Sequence, residues 1–134
     1  PEVISAFDKI RNHFGISRIS QAGAIAAIHD QAWVARVRSE VINSRARIRD
    51  IARDNGLTPL PSATNFMTVD CGRNGAYAKA IVDGLLQHGV FIRMPSVAPL
   101  NRCIRISCGA EQDLDLFAKA LPKVLTALRA TATL

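Results

Sequence analysis

Aromatic residues and cysteines are scarce in this chain of 134 residues. Only 5% of the sequence is aromatic, and its three cysteines contain no Cys-x-x-Cys pair. This odd set of thiols argues against a disulfide framework and a zinc site, and it is typical of a reducing compartment. The histidines have no ligand spacing either, so we assign no metal. The residues concerned are Cys71, Cys103, Cys108, His13, His29 and His88.

Long apolar runs are also missing. No segment approaches the roughly 18 apolar residues that a membrane-spanning helix requires, so we expect no membrane partner. The first residues show neither the basic region nor the apolar region of a signal peptide, and we therefore expect a cytoplasmic protein. Hydrophobic residues still make up 49% of the chain, which is enough to bury the core of a domain.

The net charge of +6 raises the question of nucleic-acid binding. Many of the arginines lie in one stretch, where they alternate with acids, as on the solvated flank of a long helix. Aromatic residues that could stack on bases are missing there, so we expect no nucleic-acid partner. The stretch contains Arg36, Arg38, Arg45, Arg47, Arg49 and Arg53 together with Glu40, Asp50 and Asp54.

The first half of the chain is predicted to be helical. Apolar residues recur at helical spacing in residues 1–12, and a break follows at 13–17. Small apolar residues dominate 19–29, which predicts a helix buried against a neighbour. A longer periodic pattern covers 31–55 and ends at Gly56, a suitable C-cap residue. Its apolar stripe consists of Val34, Val37, Val41, Ser44, Ile48 and Ile51.

The second half is predicted to alternate strands with helices. It begins with a proline-rich linker at 57–64. The order that follows is β-α-β-β-α, which is an α+β fold whose helices cover one face of the sheet. The predicted elements are a strand at 65–71, a turn at 72–75, a helix at 76–88, strands at 90–94 and 103–107, and a helix from Glu111.

The last predicted helix has acids in its first turns, where they complement the helix dipole. Pro122 is expected either to kink this helix or to start a second segment. Its buried stripe is predicted to contain Leu114, Phe117, Leu121, Leu125 and Leu128.

Arg93 and Arg105 occupy matching places in two predicted strands, on either side of a proline-rich loop at 95–101. If these strands form an antiparallel hairpin centred on Pro99, the two arginines lie opposite each other. Like charges directly opposed across strands are destabilising, so a bound anion would explain the arrangement. Two guanidinium groups suit a carboxylate or a phosphate. The alternative is that both arginines face solvent or pair with separate acids.

Strand parity predicts the face on which these arginines lie. Ile104 and Ile106 share one face of their strand, and Arg105 points to the other. If the helices cover the isoleucine face, both arginines leave the core on the uncovered side. A ligand, another domain or solvent must then lie there.

Four segments follow one another in an order that one enzyme family shares. They are ISQA…AAIHD at 19–30, PSATNF at 61–66, GVFIR at 89–93 and IRISCG at 104–109. Together they resemble the C-terminal part of fold-type I pyridoxal-phosphate-dependent aminotransferases. The similarity is greatest to the histidinol-phosphate aminotransferase-like branch, with its threonine-phosphate decarboxylase relatives.

The resemblance implies a fragment of a cytoplasmic, homodimeric α/β enzyme of amino-acid biosynthesis. Residues 1–30 would be terminal helices of a large domain that is otherwise missing, 31–56 the long interdomain helix, and 57–134 the small domain. The intact enzyme would exchange an amino group between an amino acid or amino-alcohol phosphate and a 2-oxo acid. In that family the arginine matching Arg105 binds the carboxylate or phosphate of the substrate, and the one matching Arg93 assists.

One departure from the family concerns the cofactor. Its aldehyde is held by a lysine in a Ser-x-x-Lys segment, and no lysine of this chain has that context. The resemblance therefore implies pyridoxal phosphate in the intact enzyme, with no catalytic or cofactor-binding residue in this chain and no activity of the chain alone. The alternatives are a threonine-phosphate decarboxylase-like fragment, a non-catalytic α+β ligand-binding or regulatory module, and a basic nucleic-acid-binding domain. The four lysines are Lys9, Lys79, Lys119 and Lys123.

Overall fold

A computed structural model of the chain describes residues 2–10 and 15–131. The chain divides into two compact units, Pro1–Val37 and Arg38–Leu134, with the boundary inside a long helix. The helices are α1 (Glu2–Asp8), α2 (Arg18–His29), α3 (Gln31–Asp54), α4 (Gly75–Gln87) and α5 (Glu111–Thr131). The strands are β1 (Thr58–Pro59), β2 (Phe66–Asp70) and β3 (Cys103–Ser107), and a short 3-10 helix covers Leu100–Arg102.

The first unit contains the two predicted N-terminal helices. Helix α2 begins at the N-cap Ser17, whose hydroxyl accepts the Ser20 N–H at 3.1 Å. The prediction that α2 is buried is wrong for this chain, because α2 has no buried residue and Ile19 is 87% exposed. No described part of the chain covers its apolar side chains. The predicted break at 13–17 and the end of the first predicted helix lie partly outside the described residues.

Helix α3 ends where the sequence predicts. Gly56 adopts a φ of 76°, and the Leu57 N–H donates to the Ala52 carbonyl at 2.9 Å, which satisfies a carbonyl of the last turn. The predicted stripe is only partly correct. Ser44 and Ile48 are buried in the second unit, whereas Val34 is 44% exposed.

The three strands form an antiparallel sheet in the order β1-β2-β3. The prediction of a linker at 57–64 is corrected here, because Thr58 and Pro59 pair with the end of β2. Proline is tolerated in this position because β1 is the edge strand of the sheet. No further strand among the described residues pairs with it there and requires a backbone N–H from Pro59.

The prediction of a regular strand at 90–94 is also corrected. Only Arg93 forms a bridge, opposite Arg105. In an antiparallel ladder the next hydrogen-bonded pair toward the loop would need an N–H from Pro95, and proline has none. The ladder therefore stops on the loop side of Arg93, and the second of the three predicted strands consists of a single bridge.

The core of the second unit lies on one face of the sheet. Alternate residues of β2 and β3 pack there against α4, α5 and the second half of α3. The predicted stripe of α5 is confirmed, with Leu128 partly buried, and α5 continues through Pro122 as one helix instead of restarting. The largest fully buried side chains are Phe117, Ile48, Ile81, Leu85, Ile104, Leu121 and Val69.

Candidate anion-binding site

Arg93 and Arg105 form a hydrogen-bonded antiparallel pair. The Arg93 N–H donates to the Arg105 carbonyl at 3.2 Å, and the Arg105 N–H donates back to the Arg93 carbonyl at 2.7 Å. The two residues therefore lie directly opposite each other, and the prediction that they do so is confirmed. In such a pair the Cα atoms are about 5.5 Å apart, and both side chains leave on the same face.

The face that carries these arginines, called here the open face, is opposite the core. The register pairs Arg105 with Thr68 and Phe66 with Ser107, whereas Ile104 and Ile106 point into the core. Arg105 is half-buried and Arg93 is exposed. Part of the open face is covered. Cys103 lies on the same face of β3 as Arg105 and is only 2% exposed.

Asp70 lies on the open face but is paired with another arginine. Its carboxylate accepts the Gly72 N–H and the Arg102 Nε–H, both at 2.8 Å. The hydrogen bond from Gly72, followed by that from Arg102, lowers the pKa of the Asp70 carboxyl. In residues 2–10 and 15–131 no carboxylate forms an ion pair with Arg93 or Arg105, so the alternative of separate acidic partners is not observed there.

Phe66 is the contact of Arg105 that sequence reasoning missed. The Arg105 guanidinium carbon lies over the Phe66 ring, 4.9 Å from its centroid. The signal was present in the alternation of β2, where Phe66 and Thr68 oppose the buried Met67 and Val69. The sequence did not predict the register of β2 against β3, which brings Phe66 next to Arg105.

No group of three His, Cys, Asp or Glu side chains among the described residues could hold a metal ion. No helix among them is both long and apolar enough to cross a membrane. The opposed arginines on the open face are a candidate site for a charged small molecule.

Comparison with known proteins identifies the family. The family described as aminotransferase class I and II matches residues 1–121. The chain belongs to this family. A histidinol-phosphate aminotransferase from Geotalea daltonii is 34% identical over 125 residues, which are 92% of this chain and 35% of that relative. The chain thus spans about a third of the length of the curated relatives it matches.

Solved structures agree with this membership. The structure of histidinol-phosphate aminotransferase from Sinorhizobium meliloti in complex with pyridoxal-5′-phosphate matches with a TM-score of 0.86 and 61% identity, over 92% of this chain and 34% of that one. A decarboxylase from Sulfurospirillum multivorans matches with a TM-score of 0.72 at 16% identity, over 92% of this chain and 36% of that one, and shows the fold alone. The α+β fold is thus that of part of a fold-type I aminotransferase.

The described residues do not by themselves compose a pyridoxal-phosphate site. A Schiff base needs a lysine next to the substrate's reacting carbon. Lys79 pairs instead with Asp83 at 2.6 Å on the exposed side of α4, and Lys119 and Lys123 lie on the exposed side of α5. Both helices pack on the face of the sheet opposite Arg105. Lys9 lies in the first unit.

Proposed function

We propose that this member of the aminotransferase family supplies the part of the enzyme that binds the substrate's anionic group. Arg105 is the main contact and Arg93 supports it. The observation that carries this proposal is the directly opposed arginine pair on the open face, where no described carboxylate neutralises it. Like charges on directly opposed residues of two strands repel each other, and an anion bound by both guanidinium groups would offset this repulsion.

The chemistry of the guanidinium narrows the ligand class. Each planar fork can donate two parallel N–H bonds to a carboxylate or a phosphate. The curated relatives are named for the transamination of a phosphorylated substrate. We therefore propose exchange of an amino group between an amino acid or amino-alcohol phosphate and a 2-oxo acid. Pyridoxal phosphate, bound by residues beyond this chain, would serve as the electron sink.

The proposal also covers the organisation of the whole enzyme. Residues 1–30 would belong to the large domain, 31–56 would connect the two domains, and 57–134 would form the small domain next to the substrate. The exposed apolar side chains of α1 and α2 support a homodimer in which they are covered. The free thiols Cys71, Cys103 and Cys108 support a cytoplasmic location.

The test is kinetic and uses the aminotransferase that contains this chain. Arg105→Lys should lower kcat/KM by about tenfold or more, because a lysine cannot donate the bidentate bonds. Arg93→Ala should reduce kcat/KM more for a phosphorylated substrate than for a plain amino acid. Cofactor absorbance should be unchanged in both variants.

Arg73→Lys is the matched control. Arg73 also lies over an aromatic ring, that of Tyr77 at 4.7 Å, but precedes α4 on the core side of the sheet. This variant should keep the wild-type kcat/KM. If Arg105→Lys kept kcat/KM for every active substrate, the anion site would have to be abandoned. Analysis of products distinguishes a transaminase, which turns the donor's amino-bearing carbon into a carbonyl and the 2-oxo acid into an amino acid, from a decarboxylase, which releases carbon dioxide.

A further inference from the structure

The contact between Arg105 and Phe66 places the guanidinium group next to an uncharged aromatic ring, which does not neutralise its charge. The two residues are diagonal neighbours across β2 and β3, since Arg105 pairs with Thr68 and Phe66 pairs with Ser107. Such neighbours lie within reach of aromatic and long side chains. The distance of 4.9 Å from the guanidinium carbon to the ring centroid is within the range of a cation–π interaction, about 6 Å.

A contact with an aromatic ring does not use the N–H donors of an arginine as a carboxylate partner does. A ring attracts the face of a guanidinium, whereas the N–H donors point outward in the guanidinium plane. A carboxylate partner would instead occupy those donors and compete with an anionic ligand. Arg102 has such a carboxylate partner, because its Nε–H donates to Asp70.

Phe66 is itself held in place by the segment that precedes it. The Phe66 carbonyl accepts hydrogen bonds from the hydroxyl of Ser62 at 2.7 Å and from that of Thr64 at 3.2 Å. The Thr64 carbonyl in turn accepts a bond of 2.8 Å from Arg45 of α3. The backbone of Phe66 is therefore hydrogen-bonded to the preceding segment, which is in turn hydrogen-bonded to α3.

Arg93 provides the contrast within the same pair. Its side chain is exposed, and no ring among the described residues contacts it. Of the two opposed arginines, only Arg105 has a side chain restrained by an aromatic partner. Restraint before binding lowers the ordering entropy that an anion contact must overcome.

We infer that Phe66 is a positioning residue, which holds the Arg105 guanidinium over its ring and orients its donors toward the anion. The inference rests on the proposed function of Arg105. It predicts that the aromatic ring, and not merely an apolar side chain, is needed at position 66. It also explains why the two arginines should contribute unequally to binding.

The experiment uses the chain labelled with ¹⁵N-arginine and inorganic phosphate as the probe. The variants are Phe66→Leu, which removes the ring, and Phe66→Tyr, which keeps it. Phe91→Leu is the matched control, because Phe91 is exposed and no described arginine lies over its ring. The Arg105 Nε–H signal is assigned by its absence in Arg105→Lys. Melting curves show that each variant is folded.

In Phe66→Leu the ring-current shift of the Arg105 Nε–H should vanish. The Kd for phosphate should rise roughly two- to fivefold, the value of an exposed cation–π contact. Phe66→Tyr and Phe91→Leu should keep the wild-type shift and Kd. An unchanged shift or an unchanged Kd in Phe66→Leu would overturn the positioning role while leaving the anion site intact. If wild-type chain showed no phosphate-dependent shift at Arg105, the anion site itself would fail, and the positioning role with it.

Discussion

Arg102 and Arg105 lie three positions apart in the chain and differ in their partners. Arg102 donates to Asp70, whose carboxylate also accepts the Gly72 N–H at the turn after β2. These bonds lower the pKa of the Asp70 carboxyl and keep it ionised. Asp70, which lies on the open face, is thereby paired with Arg102, and the structure shows no ion pair between Asp70 and Arg105.

Cys71 gives a residue-scale prediction with a defined pH window. Burial, with smaller contributions from Cys103 and Asp70, raises the pKa of the Cys71 thiol from 9.0 to about 12. The folded state therefore binds the proton more tightly than the unfolded state does. The associated stability is fully present below pH 9 and is lost as the pH rises toward 12.

Denaturant unfolding at pH 8 and at pH 10.5 tests this linkage. The wild-type chain should lose more stability between the two pH values than Cys71→Ala, which has no thiol to ionise at that position. Cys71 should also react slowly with a disulfide reagent at pH 8 until the chain is unfolded, because the thiolate is the reacting species. Equal pH dependence in both proteins would contradict the assignment.

Helices α4 and α5 approach each other closely at Gly84. A Cβ built on Gly84 would lie 2.6 Å from Cγ1 of Val124, which is closer than real contacts allow. Val124 is buried in the core and β-branched, so its side chain has few other rotamers. The glycine thus sets the distance between the two helices that cover the sheet.

Gly84→Ala should destabilise the second unit. Overpacking of this kind costs about 1–3 kcal/mol, while the better helix propensity of alanine returns about 1 kcal/mol. We expect a net loss of about 1 kcal/mol in the free energy of unfolding, measured by denaturant titration. In the Val124→Ala background, where the clashing methyl groups are absent, the same change should be neutral or stabilising.

Gly23→Ala is the control for helix propensity alone. Gly23 lies in α2, and nothing lies within 4 Å of a Cβ built there. This substitution should leave the melting of the second unit unchanged or raise overall helicity. A Gly84→Ala variant as stable as wild type would show that the helices can separate without cost.

At the scale of the whole molecule, the first unit exposes many apolar side chains. Val3 is 81% exposed, and Ile25, Ile28 and Trp33 are each more than half exposed. We predict that the isolated chain self-associates or binds hydrophobic dyes, because many exposed apolar side chains are costly in water. Sedimentation velocity over a range of concentrations measures the association. A monomer at every concentration, without dye binding, would contradict the prediction.

The position of the lysines gives a second prediction at this scale. Lys79, Lys119 and Lys123 lie on exposed helix surfaces across the sheet from the arginine pair. The chain alone should therefore show no transaminase activity and no specific covalent cofactor adduct. The measurement is borohydride reduction after addition of pyridoxal phosphate and dialysis, followed by mass spectrometry. Stoichiometric label on a single lysine would contradict this expectation.

Local chemistry determined much of this fold, and it could be predicted from the sequence. The ends of α3 and α4 follow from Gly56 and Gly89, which adopt the positive φ that glycine permits at low cost. The stripe of α5 and the alternation of β3 follow from their periods of 3.6 and 2 residues. The opposition of Arg93 and Arg105 was also predictable, because a short loop separates them in the chain.

Only the tertiary structure decided the features that depend on residues far apart in the sequence. The pairing of β1 with β2 turned part of a proline-rich linker into an edge strand, and the missing N–H of Pro95 stopped the ladder on the loop side of Arg93. The Phe66 ring reaches Arg105 through the register of β2 against β3. Register is set by how the buried faces of distant strands pack against the helices, so local sequence patterns do not contain it.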